Sequence, residues 1–198
     1  MAQLQLNKSS LSNQKTKLKT YQRFLPSLDL KRQELMVEKA KAQTELDIYL
    51  VTVRDLTKRV GTDLPMLDNP EVDLTGIVRL KDYQLTSENI VGTKLPVLTR
   101  INIEMKPYST MAKPHWVDDV ARLLQQMLET RLHVQIAKKR VKLLDQAAKT
   151  ISQRASLFEK ILIPTTRDNI KKIKIYLSDA QMSAVVRSKI AKRKRAST

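Results

Sequence analysis

Apolar residues recur at alternating intervals of four and three along both ends of the chain. The repeat before residue 61 includes Leu18, Leu25, Leu28, Leu35, Leu46 and Val53, and the repeat after residue 114 includes Leu123, Met127, Val134, Val141, Leu144, Ile151 and Phe158. This spacing brings the apolar side chains to one side of an α-helix, as in the seam of a coiled coil. The sequence therefore predicts two long helices with one seam each, the first interrupted by charge at Arg32 and Lys39.

The middle of the chain has a different pattern. All three glycines and five of the seven prolines lie between Gly61 and Pro114. Residues 77–83 and 97–103 are rich in β-branched residues and partly alternate, which predicts two short strands able to pair as a hairpin. We therefore expect a mainly α protein forming one elongated domain. Its parts would be an N-terminal coiled-coil helix (1–60), a central connector with short strands (61–114), and a C-terminal coiled-coil helix with a basic tail (115–198).

Two arrangements could cover the seams: an antiparallel hairpin within one chain, or a parallel coiled coil of two chains. The connector is long enough to reverse the chain, and small seam residues such as Ala42 and Ala137 suit the close approach of two unlike helices. We expect the intramolecular hairpin. Pro26 and Pro164 should each kink or end a helix, because proline lacks an amide donor and clashes with the preceding turn. Apolar residues after Pro164 predict that the second helix resumes.

Charge is concentrated at the two termini. The 198-residue chain has 37 Lys and Arg against 20 Asp and Glu, a net charge of +17. Five basic residues precede Asp29, the first acidic one, and nine basic residues and one acidic residue lie between Lys171 and Thr198, so that these segments carry +13. An antiparallel hairpin would bring both segments to the same end. The basic residues predicted to bind a partner are Arg187, Lys189, Lys192, Arg193, Lys194 and Arg195.

The sequence lacks the common motifs of catalytic and metal-binding sites. The three glycines do not form a phosphate-binding loop, and the absence of cysteine excludes thiolate nucleophiles and cysteine-based zinc sites. His115 and His133 are the only histidines, and neither belongs to a metal or catalytic motif. Asp118 and Asp119 fit the first turn of a helix, where they complement its dipole. We expect a non-enzyme with no catalytic residue, cofactor or metal site. The N-terminus lacks an apolar signal-peptide region and no apolar run approaches a membrane span, which predicts a cytoplasmic protein.

Three stretches resemble the D subunit of the V-type and archaeal-type rotary ATPases. Leu28–Leu35 is similar to the Lys-Arg-x-x-Leu element that ends the family's N-terminal run of leucines. Asn89–Pro96 is similar to the family's Asn-aliphatic-x-Gly-x-x-aliphatic-Pro segment. Phe158–Pro164, followed by Ile170–Ile173, resembles the family's Ile-Pro continuation and basic tail. The resemblance extends over nearly the whole chain.

This resemblance implies a non-catalytic central-stalk subunit, the axle of a rotary motor. Its partners would be the hexamer of A and B subunits, the F subunit and the socket subunit of the membrane rotor. The terminal end would enter the bore of the hexamer, and the protein would be peripheral to the membrane without inserting into it. Two other classes remain compatible with the residues: a self-dimerising coiled-coil scaffold and a basic coiled coil that binds nucleic acid. Nucleic acid is the less favoured partner, because aromatic residues are not interleaved with the basic tail except at Tyr176.

Overall fold

The computed structural model describes residues 4–68, 74–107 and 114–196. Helix α1 spans Lys8–Asp63 and is followed by a short 3₁₀ helix at Pro65–Asp68. Strands β1 (Val78–Ile90) and β2 (Thr93–Met105) form a two-stranded sheet. Helix α2 (Val117–Leu157) continues through a π-helical turn (Phe158–Leu162) into helix α3 (Ile163–Ala196). The predicted fold class, long helices flanking a small antiparallel sheet, is confirmed.

The chain divides into two compact units. We call Gln33–Lys149 the central unit, and Met1–Arg32 with Thr150–Thr198 the terminal unit. The expected segments 1–60, 61–114 and 115–198 are consecutive along the chain, whereas each unit combines pieces from both halves of the chain. The division into these segments stays a prediction. Its boundaries lie close to the ends of the helices, since α1 ends at Asp63 and α2 begins at Val117.

Within the central unit, α1 and α2 pack antiparallel. Lys39 on α1 forms an ion pair with Asp145 on α2. Further along α1, Tyr49 stacks on His133, which precedes Asp145 on α2. The core between the helices at this level consists of the buried residues Leu46, Val134 and Ala137, with Tyr49, Leu50, Val53 and Val141 packed around them. The two seams therefore meet each other within one chain, as an intramolecular hairpin requires.

The strands are longer than the sequence pattern predicts. The pattern indicates residues 77–83 and 97–103, but thirteen residues lie on each strand, with pairing from Val78 opposite Met105 to Ile90 opposite Thr93. The two residues between the strands, Val91 and Gly92, both have positive φ angles of 52° and 83°. This is the conformation of a type I′ turn, whose twist matches that of a hairpin. The sequence pattern does not reveal the second half of β1, which contains polar residues such as Ser87 and Glu88. Because β1 is exposed along most of its length, it does not need alternating apolar residues.

The hairpin packs against the helices of the central unit. At its base, Ile77 forms a buried cluster with Val117 and Ala121 of α2. The Lys106 amide donates a 2.8 Å hydrogen bond to the Ile77 carbonyl and so closes the base of the hairpin. Further along, Arg140 of α2 lies 3.7 Å from Glu88 of β1, and Leu95, which is paired with Glu88 on β2, is completely buried. The sheet therefore does not stand free, as a two-stranded hairpin in water would be marginally stable.

In the terminal unit, the two prolines behave differently. Helix α1 runs through Pro26 without ending, so an end at this residue is not observed. Pro164 lies at the start of α3, directly after the π-helical turn, in which the Ile163 amide donates to the Phe158 carbonyl. The helix is thus disturbed before Pro164 and resumes after it, as the apolar residues beyond Pro164 predict. The rings of Tyr21 on α1 and Phe158 meet edge to face at a centroid distance of 5.3 Å.

Candidate partner-binding surfaces

None of the thirteen predicted seam residues is exposed. Four of them are buried: Leu35, Leu46, Val134 and Leu144. The other nine are half-buried: Leu18, Leu25, Leu28, Val53, Leu123, Met127, Val141, Ile151 and Phe158. The charged seam position Lys39 points its ammonium group at Asp145 across the helix pair, at 2.6 Å. A charge in the seam is therefore accommodated by an ion pair with the opposite helix.

Asp145 also binds a second lysine, one turn further along α2. Its other carboxylate oxygen lies 2.7 Å from the ammonium group of Lys149. These two hydrogen bonds, first that from Lys149 and then that from Lys39, lower the pKa of Asp145 to about 2. Hydrogen bonds to the charged form stabilise it against protonation. The carboxylate thus stays ionised at any physiological pH and joins the two helices at this level.

Arg140 connects both helices and the hairpin. Its guanidinium lies 4.0 Å from Glu45 on α1 and 3.7 Å from Glu88 on β1, and its side chain is only 20% exposed. Its Nε atom is buried without a hydrogen-bond partner. Val97 and Leu98 of β2 share a small cavity of about 140 Å³ with residues around Arg140. The sheet is therefore connected to the helix pair by a guanidinium that faces two carboxylates but whose hydrogen bonds are incompletely satisfied.

The two histidines differ in their surroundings. The imidazole of His133 stacks on the Tyr49 ring at 4.9 Å, beside Arg140. Burial raises the pKa of the Tyr49 phenol. The negative charge of Glu45 and a hydrogen bond to Glu45 raise it further, whereas the charge of Arg140 lowers it. His115 is exposed before the start of α2. No three His, Cys, Asp or Glu side chains within the described ranges are arranged to hold a metal ion.

The two basic segments lie in the same unit. Lys8, Lys15, Lys17, Lys19 and Arg23 are exposed on α1, and every residue from Ser178 to Ala196 is exposed on α3. The latter stretch includes the predicted partner-binding residues Arg187, Lys189, Lys192, Arg193, Lys194 and Arg195. The terminal unit thus carries most of the net charge of the chain, as the antiparallel arrangement predicts.

The end of α3 also exposes apolar residues. Met182, Val185, Val186 and Ile190 are each more than half exposed, with a spacing of three and four that aligns them on one side of the helix. The stripe begins with Ile175, which lies about 200° around the helix from the buried Ile173. This exposed stripe therefore faces away from the side that α3 buries within its own unit. The spacing of these residues is visible in the sequence, but composition alone does not indicate that the stripe is exposed.

A third surface is an apolar groove in the central unit. It encloses about 520 Å³ and is lined mainly by Val60, Leu64, Leu67, Leu74, Val120, Leu123, Leu124 and Met127. Leu123 and Met127 are predicted seam residues, and here they border the groove instead of being fully covered. The helices thus leave an apolar opening next to the connecting segments.

No helix in the part of the chain that the structure describes is both long and apolar enough to cross a membrane.

Comparison with known proteins gives a consistent result. The family model of the ATP synthase D subunit matches residues 10–193. A V-type ATP synthase D subunit from Borreliella burgdorferi is 34% identical over 192 residues, covering 97% of this chain and 95% of that protein. Proteins with the same description from Chlamydia trachomatis serovar L2 and Chlamydia muridarum are 31% and 29% identical, each covering 98% of this chain and 96% of its own length.

Proposed function

Because this chain belongs to the family of ATP synthase D subunits, we propose that it is the central rotor axle of a V-type or archaeal-type rotary ATPase. In this role it couples ATP hydrolysis or synthesis in the A and B hexamer to ion translocation through the membrane rotor. It performs no chemistry itself. The observation that carries the proposal is the antiparallel packing of α1 and α2 within one chain, with both basic segments in a single unit.

An axle transmits torque only if its two helices resist sliding along each other. Directional contacts across the helix pair supply this resistance in the central unit: the Lys39–Asp145 ion pair and the stacking of Tyr49 on His133. In the terminal unit, the edge-to-face contact of Tyr21 with Phe158 does the same. Apolar seams stabilise the pairing without specifying register, whereas such contacts are lost if one helix shifts by a turn.

The terminal unit is the part that enters the hexamer. Its exposed α3 residues combine a basic surface with an apolar stripe, and both gain free energy when a complementary lining surrounds them. We expect the bore to present acidic side chains or helix C-terminal carbonyls opposite Arg187, Lys189 and the cluster of Lys192, Arg193, Lys194 and Arg195. The stripe of Met182, Val185, Val186 and Ile190 would contact apolar residues of the bore.

The central unit contacts the remaining rotor partners, the F subunit and the socket subunit. The apolar groove of about 520 Å³ and the exposed outer strand β1 are surfaces that a partner can cover. The complex lies at the cytoplasmic face of the membrane, and this chain reaches the membrane only through its partners.

Reversing the charge of the α3 cluster tests the proposal. Purified chain with Lys192, Arg193, Lys194 and Arg195 all changed to Glu should bind a hexamer of A and B subunits about tenfold more weakly or worse at low salt. The difference should shrink as salt increases, because exposed charges are screened. A matched control reverses four exposed basic residues of the central unit, Lys58, Arg59, Lys138 and Lys139.

The control variant should bind the hexamer like the wild type. Equal binding of the α3 variant and the wild type at every salt concentration would contradict the role of the basic cluster. Failure of the wild-type chain to bind the hexamer, or light scattering that shows a stable dimer of this chain, would contradict the axle function itself.

A further inference from the structure

The apolar seam of the C-terminal helices changes phase once. Before the π-helical turn, the buried and half-buried positions Leu144, Ala148, Ile151, Ala155 and Phe158 keep the intervals of four and three. After it, Thr166, Ile170, Ile173 and Leu177 keep the same intervals. The step between Ala155 and Ile163, both buried, is eight residues, where the heptad repeat requires seven. The seam therefore contains one extra residue.

The extra residue is absorbed by the π-helical turn Phe158–Leu162. A π-helical turn closes its hydrogen bond over five residues instead of four, as between the Ile163 amide and the Phe158 carbonyl, and so holds one residue more than an α-helical turn. In an unbroken α-helix, Ile170 and Ile173 would lie about 100° away from the side they occupy. Because both are buried, the widened turn is the less costly solution.

We propose that Phe158–Leu162 is a compliant joint, the place where the C-terminal helix of this protein opens and bends most easily. Three observations support this. A π-helical turn interrupts the regular hydrogen-bond ladder of an α-helix, and such turns are among the known causes of helix kinks. Pro164 has no amide hydrogen to add to the ladder. The side chains of Glu159, Lys160 and Ile161 are exposed, so that within the turn only Phe158, which packs on Tyr21, and the half-buried Leu162 oppose opening.

A buried polar side chain lies directly after the joint. The Thr166 hydroxyl donates a 2.6 Å hydrogen bond to the Leu162 carbonyl, and Thr166 is buried. Because Thr166 lies four residues after Leu162, this bond gives the hydroxyl a partner within its own helix. The side chains of α3 are therefore regularly packed again within one turn of the joint.

Hydrogen exchange of the full-length chain, followed by mass spectrometry, measures the joint directly. In the wild type, amides of residues 158–166 should exchange about tenfold faster or more than those of residues 144–156, which lie in the regular part of the same continuous helix. Equal protection of the two segments overturns the proposal.

A deletion shows whether the extra residue or Pro164 causes the fast hydrogen exchange at the joint. Removing Lys160 and replacing Pro164→Ala restores both the heptad spacing and the amide donor. This variant should exchange about tenfold more slowly at the joint, and its Tm should rise by about 2–4 °C. Pro164→Ala alone should keep the fast exchange, because the seam still contains the extra residue.

The matched control removes a different exposed residue of the same helix, Gln153, together with Pro164→Ala. This deletion displaces Ala155 and Phe158 from the seam and should lower Tm. The proposal is wrong if deletion of Lys160 lowers Tm or helix content as the control does, or if Pro164→Ala alone abolishes the fast exchange.

Discussion

The ammonium nitrogen of Lys39 lies 2.6 Å from Oδ1 of Asp145, so that a charged pair joins α1 to α2 at a seam position. Lys149 binds the same carboxylate from the next turn of α2. A carboxylate shared by two ammonium groups accounts for the low pKa of Asp145, about 2, and gives the helix pair a sensitivity to acid.

The first prediction concerns this sensitivity. Because folding lowers the pKa of Asp145 below the value of about 3.9 for an unperturbed Asp, its ionised form stabilises the folded state above that pH, and this contribution disappears as the pH falls towards 2. Asp145→Asn should therefore lose less stability than the wild type between about pH 4 and pH 2. Urea unfolding at a series of pH values measures this.

Lys39→Met should have an intermediate effect on the acid dependence, because Lys149 still binds the carboxylate. If Asp145→Asn shows the same loss of stability in acid as the wild type, the carboxylate does not contribute as stated.

The second prediction compares two isoleucines of α3. Ile173 is completely buried, whereas Ile175 is 54% exposed. Ile173→Ala should lower the free energy of unfolding by about 2–4 kcal/mol, because it removes buried methyl groups and leaves a cavity. Ile175→Ala should change it by about 0.5 kcal/mol or less. Chemical denaturation followed by circular dichroism gives both values, and similar losses for the two variants would contradict the observed phase of the seam after Pro164.

The third prediction concerns the hairpin turn. Val91 is a β-branched residue with a φ of 52°, a conformation that costs such residues energy. Val91→Asn should stabilise the protein by about 1 kcal/mol, because Asn tolerates this region and is favoured in type I′ turns. Thermal unfolding monitored by circular dichroism detects the shift.

Gly92 supplies the complementary test of the turn. A Cβ atom at this position would meet no atom within 4 Å beyond the two neighbouring residues of the chain, so any loss of stability in Gly92→Ala comes from the local backbone. With its φ of 83°, Gly92→Ala should cost about 1 kcal/mol. Opposite signs for the two substitutions are expected, and a destabilising Val91→Asn would show that the turn is not of this type in solution.

The fourth prediction concerns Arg140. Its nearest carboxylate atoms are 3.7 and 4.0 Å away, and its buried Nε has no partner, so the ion pairs offset its desolvation only in part. Arg140→Met should therefore stay within about 1 kcal/mol of the wild type in free energy of unfolding, because Met preserves the packing of the stem. The β1 amides should nevertheless exchange faster, since Glu88 loses its connection to α2.

Arg140→Glu is the contrasting variant. It would place a third carboxylate beside Glu45 and Glu88 and should destabilise the protein by about 2 kcal/mol or more. A large loss of stability in Arg140→Met, equal to that in Arg140→Glu, would show that the ion pairs contribute more than their geometry indicates.

Much of the surface chemistry is also visible in the sequence. The basic residues from Arg187 to Arg195 are recognisable by composition, and the structure places them on an exposed helix. The apolar groove was not predictable, because it depends on how Leu64 and Leu67, after the end of α1, lie relative to Leu123 and Met127. The contact of Arg140 with α1 and β1 was not predictable either, since its partners Glu45 and Glu88 lie on two other elements.

The sequence by itself determined the two long helices and the side that each one buries, because helical periodicity is a local property that a few turns suffice to reveal. It also contains the extra residue between Ala155 and Ile163. Only the tertiary structure decided that this residue enters a π-helical turn before Pro164, that Lys39 pairs with Asp145, and that the strands extend from Val78 to Met105. These outcomes depend on residues distant in the chain, whose relative positions are set by packing and not by local pattern.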